Sequence, residues 1–293
     1  FRSSAASDVY KRQLLFESTW GEGEKKVQKK LVARLAPTDQ DIPVFPTYDL
    51  SSQVKVMKLV EQLTDIKVPK VLWEEPSIDV LGVPFFVMEQ VPGRVPPDIP
   101  PYVFGGWLLD ATPESQLQLQ ELCVGIIAQL HQIKQKSPVT DFLEFRTQGE
   151  TALKRHFTNQ KEYYRWVTQD NRQHPVIEQA FDWLESHWPE ESETVVSWGD
   201  ARIGNIMFDN KALEPVAVLD WEMAGLAPVE VDLGWMIFMH KFFQVIAEAL
   251  EFPGMPKFMT SRDVTSKFTD LTGIVPKNID WFEIYAATRH AII

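Results

Sequence analysis

Cysteine is almost missing from this chain. Of 293 residues only Cys123 carries a thiol, so no internal disulfide can form and a reducing, cytoplasmic setting is expected. Cys123 stands among Leu122, Val124, Ile126 and Ile127 in a helical pattern, with no basic neighbour to lower its pKa, and reads as a core thiol rather than a nucleophile. Cations are also scarce, 29 Lys and Arg against 41 Asp and Glu, for a net charge of -12. That balance argues against nucleic acid or an anionic membrane as a partner held by the overall field. A nucleotide remains compatible, because a bound metal and a few local cations can manage its phosphates. No uninterrupted apolar run reaches membrane length: residues 233–252 are broken by His240, Lys241, Gln244 and Glu248 and read as a buried helix. No glycine-rich phosphate loop is evident either, Gly21 and Gly23 in Trp20-Gly-Glu-Gly being the only candidates.

What is present is ordinary globular composition, 44% hydrophobic and 24% charged, over a length that suits one large domain or two lobes around a cleft. Residues 1–13 contain no signal-peptide core and read as foreign to the fold, and the chain stops at Ile293 inside a helical pattern, so both ends read as cut. Residues 27–35 read as a strand. Residues 51–63 read as a helix capped by Ser51 or Ser52, with Val54, Met57, Val60 and Leu63 on one stripe. Residues 69–73 and 84–88 are short apolar runs of strand type. The Pro- and Gly-rich stretch 91–101 is the expected lobe boundary. Helices follow over 113–133, 150–168 and 175–188. Residues 194–221 then change texture to short strands and polar loops, after which helices resume.

That insert carries the chemistry. It reads S-W-G-D-A-R-I-G-N from Ser197 to Asn205, then V-A-V-L-D-W-E from Val216 to Glu222. Asp200 and Asn205 bracket four residues, the spacing of a kinase catalytic loop, and Asp220 ends an apolar strand where such a pattern places a metal-binding carboxylate. Phosphoryl transfer needs a carboxylate for the attacking hydroxyl's proton and hard oxygen ligands for magnesium. Asp200 is the expected base, with Asn205 and Asp220 as metal ligands. At average residue usage, Gly199, Asp200, Asn205, Asp220 and Trp221 at these spacings arise by chance on the order of once in ten thousand chains, which sets the cluster apart from ordinary turn residues.

The segment resembles the signature of the aminoglycoside phosphotransferase and choline kinase superfamily, whose loop runs H-G-D-x-x-x-x-N and whose metal Asp sits in a D-W-E-type strand end. Within it the bacterial phosphotransferases and the kinase-like domains associated with acyl-CoA dehydrogenases are nearest. The resemblance runs from about Leu31 onward and continues through G-L-A-P-V-E-V-D-L-G-W at Gly225 to Trp235, where Asp232 matches a supporting Asp. It implies an α+β, protein-kinase-like two-lobe fold: a small antiparallel-sheet lobe over 14–90, expected to be truncated, and a larger helical lobe over 91–293. It implies ATP, with GTP the alternative, as phosphate donor, Mg2+ as metal, and a small-molecule hydroxyl as acceptor; aminoglycosides, choline-like alcohols, sugars and hydroxyacyl thioesters are all used in the superfamily. Arg34 matches the cation presented to the phosphates, Gln53 stands where a helix usually offers Glu to that cation, and Glu89 and Val91 match the hinge that meets the adenine. Trp198 replaces the usual His, and Arg34 the common Lys.

Several residues keep two readings. Arg202 either contacts substrate or phosphate, or pairs with a nearby carboxylate. Glu222 either supports the metal site or is an exposed loop carboxylate. His131 is a helix cap or core group. Trp235 and its neighbours to Met239 read as ordinary core. At the level of the whole chain, an active small-molecule kinase stands against a catalytically weak nucleotide-binding module; Gln53 and the missing phosphate loop motivate the second.

Overall fold

The computed structural model describes residues 12–21, 27–38, 41, 43–170 and 172–293. The smaller lobe is a four-stranded antiparallel sheet in the order β1-β2-β4-β3, formed by β1 (Arg12–Trp20), β2 (Val27–Leu35), β3 (Val71–Glu75) and β4 (Phe85–Glu89). β1 and β2 pair along their whole length, from Arg12 opposite Leu35 to Trp20 opposite Val27. β2 is therefore an inner strand. It has a partner on each flank, which satisfies its backbone groups in both directions and leaves β1 and β3 as the edges. Residues 12 and 13, set apart above as foreign, belong to β1; residues 1–11, and Gly23 of the phosphate-loop reading, lie outside the described residues.

Helix α1 (Leu50–Leu63) backs this sheet. Its cap is Asp49 rather than Ser51 or Ser52, because the Asp49 carboxylate accepts both the backbone N–H and the hydroxyl of Ser52, at 2.8 and 2.7 Å. Val54, Met57 and Val60 are buried as the stripe predicts, whereas Leu63 in the last turn is 56% exposed.

The linker between the lobes docks on the short strand over residues 206–208. Arg94 and Phe208 exchange backbone hydrogen bonds of 2.9 and 2.8 Å. A Cβ at Gly93 would lie 2.7 Å from the Phe208 carbonyl oxygen, so this close approach needs glycine.

The larger lobe contains α2 (Pro113–Leu130), α3 (Ala152–Val167), α4 (Pro175–Ser186), α5 (Glu230–Ala249), α6 (Ser261–Thr272) and α7 (Ile279–Ile292). Among them lie two small antiparallel pairs, β5 (Thr194–Ser197) with β8 (Gly225–Pro228) and β6 (Ile206–Phe208) with β7 (Pro215–Val218). One apolar core runs from α1 through α2 to the strands and α5; a second joins α3, α4 and α7 through Phe157, Phe181, Trp281 and Tyr285. Fully burying each such large side chain stabilises the fold by roughly 1.5–3 kcal/mol. α5 and α7 cross closely at Gly234, where a Cβ would lie 2.8 Å from Phe282. That crossing carries the end of α7 up to the loop that bears Asp200.

Candidate active site

Two loops, one leaving β5 and the other β7, meet in the cleft between the lobes. The first leaves β5 as Trp198-Gly199-Asp200 and ends in a 3-10 turn, Ile203–Asn205, before β6. The second leaves β7 as Leu219-Asp220-Trp221. Leu219 donates to the Asn205 carbonyl at 2.9 Å, which sets Asn205 beside Asp220. Gly199 and Asp220 both have positive φ, +86° and +62°. For Asp220 this is a sparsely populated conformation for a side-chain-bearing residue, held here by its surroundings. At Gly199 a Cβ would stand 2.0 Å from the Met223 carbonyl oxygen, so the turn excludes every other residue.

Asp232, in the first turn of α5, holds the first loop from behind. Its Oδ1 accepts from the Ser197 hydroxyl (2.7 Å) and the Gly199 N–H (2.9 Å). Its Oδ2 accepts from the Trp198 N–H (2.8 Å) and His131 Nε2 (2.9 Å). A carboxylate only accepts, so His131 Nε2 carries the proton. Complete burial by itself would raise the Asp232 pKa; His131 and the other donors outweigh it and hold the carboxyl below the usual range. His131, the C-cap of α2, thus couples that helix to the loop.

Asp200 projects into the cleft with three donors on it: Trp235 Nε1 at 2.8 Å, Asn205 Nδ2 at 2.7 Å and Arg202 Nε at 3.1 Å. Arg202 also reaches Asp98 of the linker with Nη1. Of its two readings the geometry realises carboxylate pairing. Burial alone would lower the Arg202 pKa, but Asp200 and Asp98 outweigh burial and push it up. Arg34 crosses from β2 to the other lobe, pairing with Glu222 at 2.6 Å and lying 3.5 Å from Asp220. Glu222 is therefore no exposed loop carboxylate; its side chain is 11% accessible. No hydrogen bond joins Arg34 to Gln53 among the described residues. Gln53 is buried in the same cleft, and the stronger charge-assisted partners across the cleft take the guanidinium. Glu89 pairs with Lys29, and its backbone N–H donates to the Lys70 carbonyl at 3.0 Å.

Arg34, Gln53, Glu89, Val91, Asp200, Arg202, Asn205 and Asp220, eight of the residues singled out in the sequence, all line one cleft of about 1460 Å3. Its small-lobe end is apolar, walled by Val32, Phe86 and Met88 above and Met207 and Leu219 below. Asn205 turns its Nδ2 to Asp200, which leaves its amide oxygen for another partner beside the Asp220 carboxylate. One amide oxygen and one carboxylate are the hard donors that magnesium takes, with water and phosphate oxygens completing its shell, so these residues fit that ion. Among the described residues no cluster of three or more His, Cys, Asp or Glu offers a cage built from protein alone.

Sequence reasoning missed three supports. Trp235 is no passive core residue, since its indole N–H fixes Asp200. The signal was available: a buried indole needs an acceptor, and Trp235 lies one helical turn from Asp232. Trp198, in the place of the usual His, donates from Nε1 to the carbonyls of Leu219 (2.9 Å) and Asp220 (3.2 Å) and so ties the two loops together. Arg289 of α7 is fully buried, with its guanidinium 4.4 Å over the Trp235 ring and Nη2 donating to the Gly199 carbonyl at 3.1 Å. No local spacing could have announced a contact 90 positions away.

A two-lobed fold with this loop pair in its cleft defines a kinase-type phosphotransferase architecture. The chain belongs to the phosphotransferase enzyme family known as APH, whose model matches residues 19–253. Among curated proteins it is 25% identical over 207 residues to acyl-CoA dehydrogenase family member 10 of Mus musculus, a match over 71% of this chain and 18% of the relative. It is 28% identical over 204 residues to acyl-CoA dehydrogenase family member 11 of Homo sapiens, covering 69% and 24%. The chain thus spans about a quarter or less of the length of these relatives. Among solved structures, aminoglycoside-3'-phosphotransferase of type VIII superposes with a TM-score of 0.62 at 15% identity, covering 95% of this chain and 94% of that one. Plasmodium vivax ethanolamine kinase gives 0.59 at 12% identity, covering 96% and 72%. These likenesses show the fold. Among the described residues no helix is long and apolar enough to cross a membrane.

Proposed function

We propose that this protein transfers the γ-phosphate of ATP to a hydroxyl of a small molecule, with Asp200 as base and Asn205 and Asp220 as the ligands of Mg2+. The observation that carries this reading is the meeting of those three side chains, from two loops, in a cleft with an apolar slot at one end. Purine rings suit that slot, with hinge backbone near Glu89 and Val91 to bond them. A structure of the related fold from Streptomyces rimosus, solved with ADP and streptomycin, supports a nucleotide and a small-molecule acceptor as the two substrates. GTP would occupy the same slot. Residues 14–90 are then the nucleotide lobe and 91–293 the lobe that bears the catalytic loop and the acceptor.

Trp235, Asn205 and Arg202 fix the orientation of the Asp200 carboxylate. The acceptor hydroxyl gives its proton to Asp200 as its oxygen bonds to the γ-phosphorus; the bond from that phosphorus to the bridging oxygen breaks and ADP leaves. When bound between Asn205 and Asp220, magnesium supplies charge neutralisation for the phosphates. Arg34, held at the mouth of the phosphate region by Glu222, is placed to contact the phosphates.

The experiment is incubation of the protein with Mg2+, ATP and a metabolite extract, followed by mass spectrometry for species that gain one phosphate. Gain of phosphate by a hydroxyl compound supports the reading. ATP binding without any product supports the weak nucleotide-binding module, which the neutral Gln53 favours.

A further inference from the structure

The linker between the lobes reaches Asp200 through one side chain. Arg202 lies between two carboxylates and divides its guanidinium between them. Its Nη1 donates to Asp98 Oδ2 of the linker. Its Nε donates to both oxygens of Asp200, at 3.1 and 3.2 Å. One N–H shared over two such distances is a loose contact for a charged pair. The firm donors are Trp235 Nε1, at 2.8 Å from Oδ1, and Asn205 Nδ2, at 2.7 Å from Oδ2. Each Asp200 oxygen thus has one firm donor and a share of a loose one, which leaves lone-pair capacity for an acceptor hydroxyl.

Asp98 holds its place in this bridge at a cost. Its Oδ1 is buried and accepts no hydrogen bond among the described residues, and a bare buried carboxylate oxygen destabilises the fold. Stability alone therefore does not account for a charge at this position. Gly204 makes room for the bridge. A Cβ there would stand 2.6 Å from Arg202 Nη1, and 2.8 and 3.2 Å from the two Asp98 oxygens. Gly204 is not among the residues of positive φ, so its backbone does not itself call for glycine. The guanidinium and the carboxylate close over it because it has no side chain.

We infer that Asp98 is a positioning residue for the base: it draws the Arg202 guanidinium aside, so that Asp200 keeps a lone pair for the acceptor's proton. Without Asp98 the guanidinium closes on Asp200 with two firm bonds, in the fork that arginine makes with a carboxylate, and competes with the acceptor hydroxyl for both oxygens. The inference rests on the assignment of Asp200 as base.

The test measures ADP formed from ATP by the whole chain with Mg2+ and the metabolite extract, and separates kcat from KM for ATP. Asp98→Asn keeps the shape of the side chain and loses its charge. Its kcat should fall about tenfold or more with KM for ATP unchanged. Asp98→Glu, which keeps the charge, should recover most of that loss. Gly204→Ala forces the bridge apart without removing a charge; it should reproduce the loss, and it decides the matter if the Asn variant misfolds. Arg202→Met removes the competing group, so adding Asp98→Asn to it should cost nothing more. Parent-rate turnover by Asp98→Asn and Gly204→Ala, or an Asp98→Asn loss that adds in full to that of Arg202→Met, would overturn the inference and leave the phosphotransfer reading standing. A parent protein that binds ATP and forms no ADP would strike both.

Discussion

Replacing Asp232 by alanine removes one acceptor from four buried donors: the Ser197 hydroxyl, the N–H groups of Trp198 and Gly199, and His131 Nε2. Each buried donor left without a partner costs about 1–3 kcal/mol. The hydroxyl and the imidazole can turn toward other groups, but the two backbone N–H groups are held by β5 and the Gly199 turn. The expected loss is therefore about 3–5 kcal/mol, the range for breaking a buried charged network from one side, and not the sum over four donors. For a chain of this size each kcal/mol lowers Tm by about 2–4 °C, so a thermal melt should fall by roughly 10 °C. Asp232→Asn keeps one oxygen and should lose about half as much. The pH sign follows from the lowered carboxyl pKa: the Asp232 contribution is complete above the unfolded carboxyl pKa of about 4 and disappears as pH falls through its folded value. The gap between parent and Asn variant should thus be constant from pH 5 to 8 and close only in stronger acid. An Asp232→Ala protein that melts within about 1 °C of the parent would refute the account of how the Asp200 loop is held.

Asn205→Ala and Asp220→Ala should each weaken Mg2+-dependent ATP binding about tenfold or more by removing an oxygen ligand, read by calorimetry with and without Mg2+; unchanged affinity in both would place the metal elsewhere. Arg289→Met should cut turnover by an order of magnitude or more with little change in KM for ATP, because Arg289 acts through Trp235 and the Gly199 carbonyl rather than on the nucleotide. Arg289→Lys should restore part of that loss; equal activity in parent and Met variant would show that α7 does not position Asp200.

How much of this was legible in the sequence depends on the distance over which each contact forms. The Asp200 and Asn205 spacing was readable because both residues sit in one loop, and Asp220 because β7 delivers it to the neighbouring strand end. The α1 stripe was readable because its period is local, except at Leu63, which the last turn leaves exposed. β1 was harder: Leu14, Leu15 and Phe16 stand in a row rather than alternating, and only the nine-residue register against β2 makes the segment a strand. The Asp49 cap was hidden by two serines of similar capping power next to it. The Arg34–Glu222 pair joins residues 188 positions apart across two lobes. Its formation follows from how the lobes close, which no local pattern encodes.

The most direct test of the central claim is phosphate transfer by the parent and by Asp200→Asn, each supplied with Mg2+ and ATP and an acceptor identified from the extract, and followed by 31P NMR. The amide can still accept one hydrogen bond but takes no proton, so the variant should bind ATP as the parent does, melt within a few degrees of it, and transfer phosphate on the order of 10²–10⁴-fold more slowly. A folded Asp200→Asn protein that transfers phosphate at the parent rate would contradict the assignment of Asp200 as base.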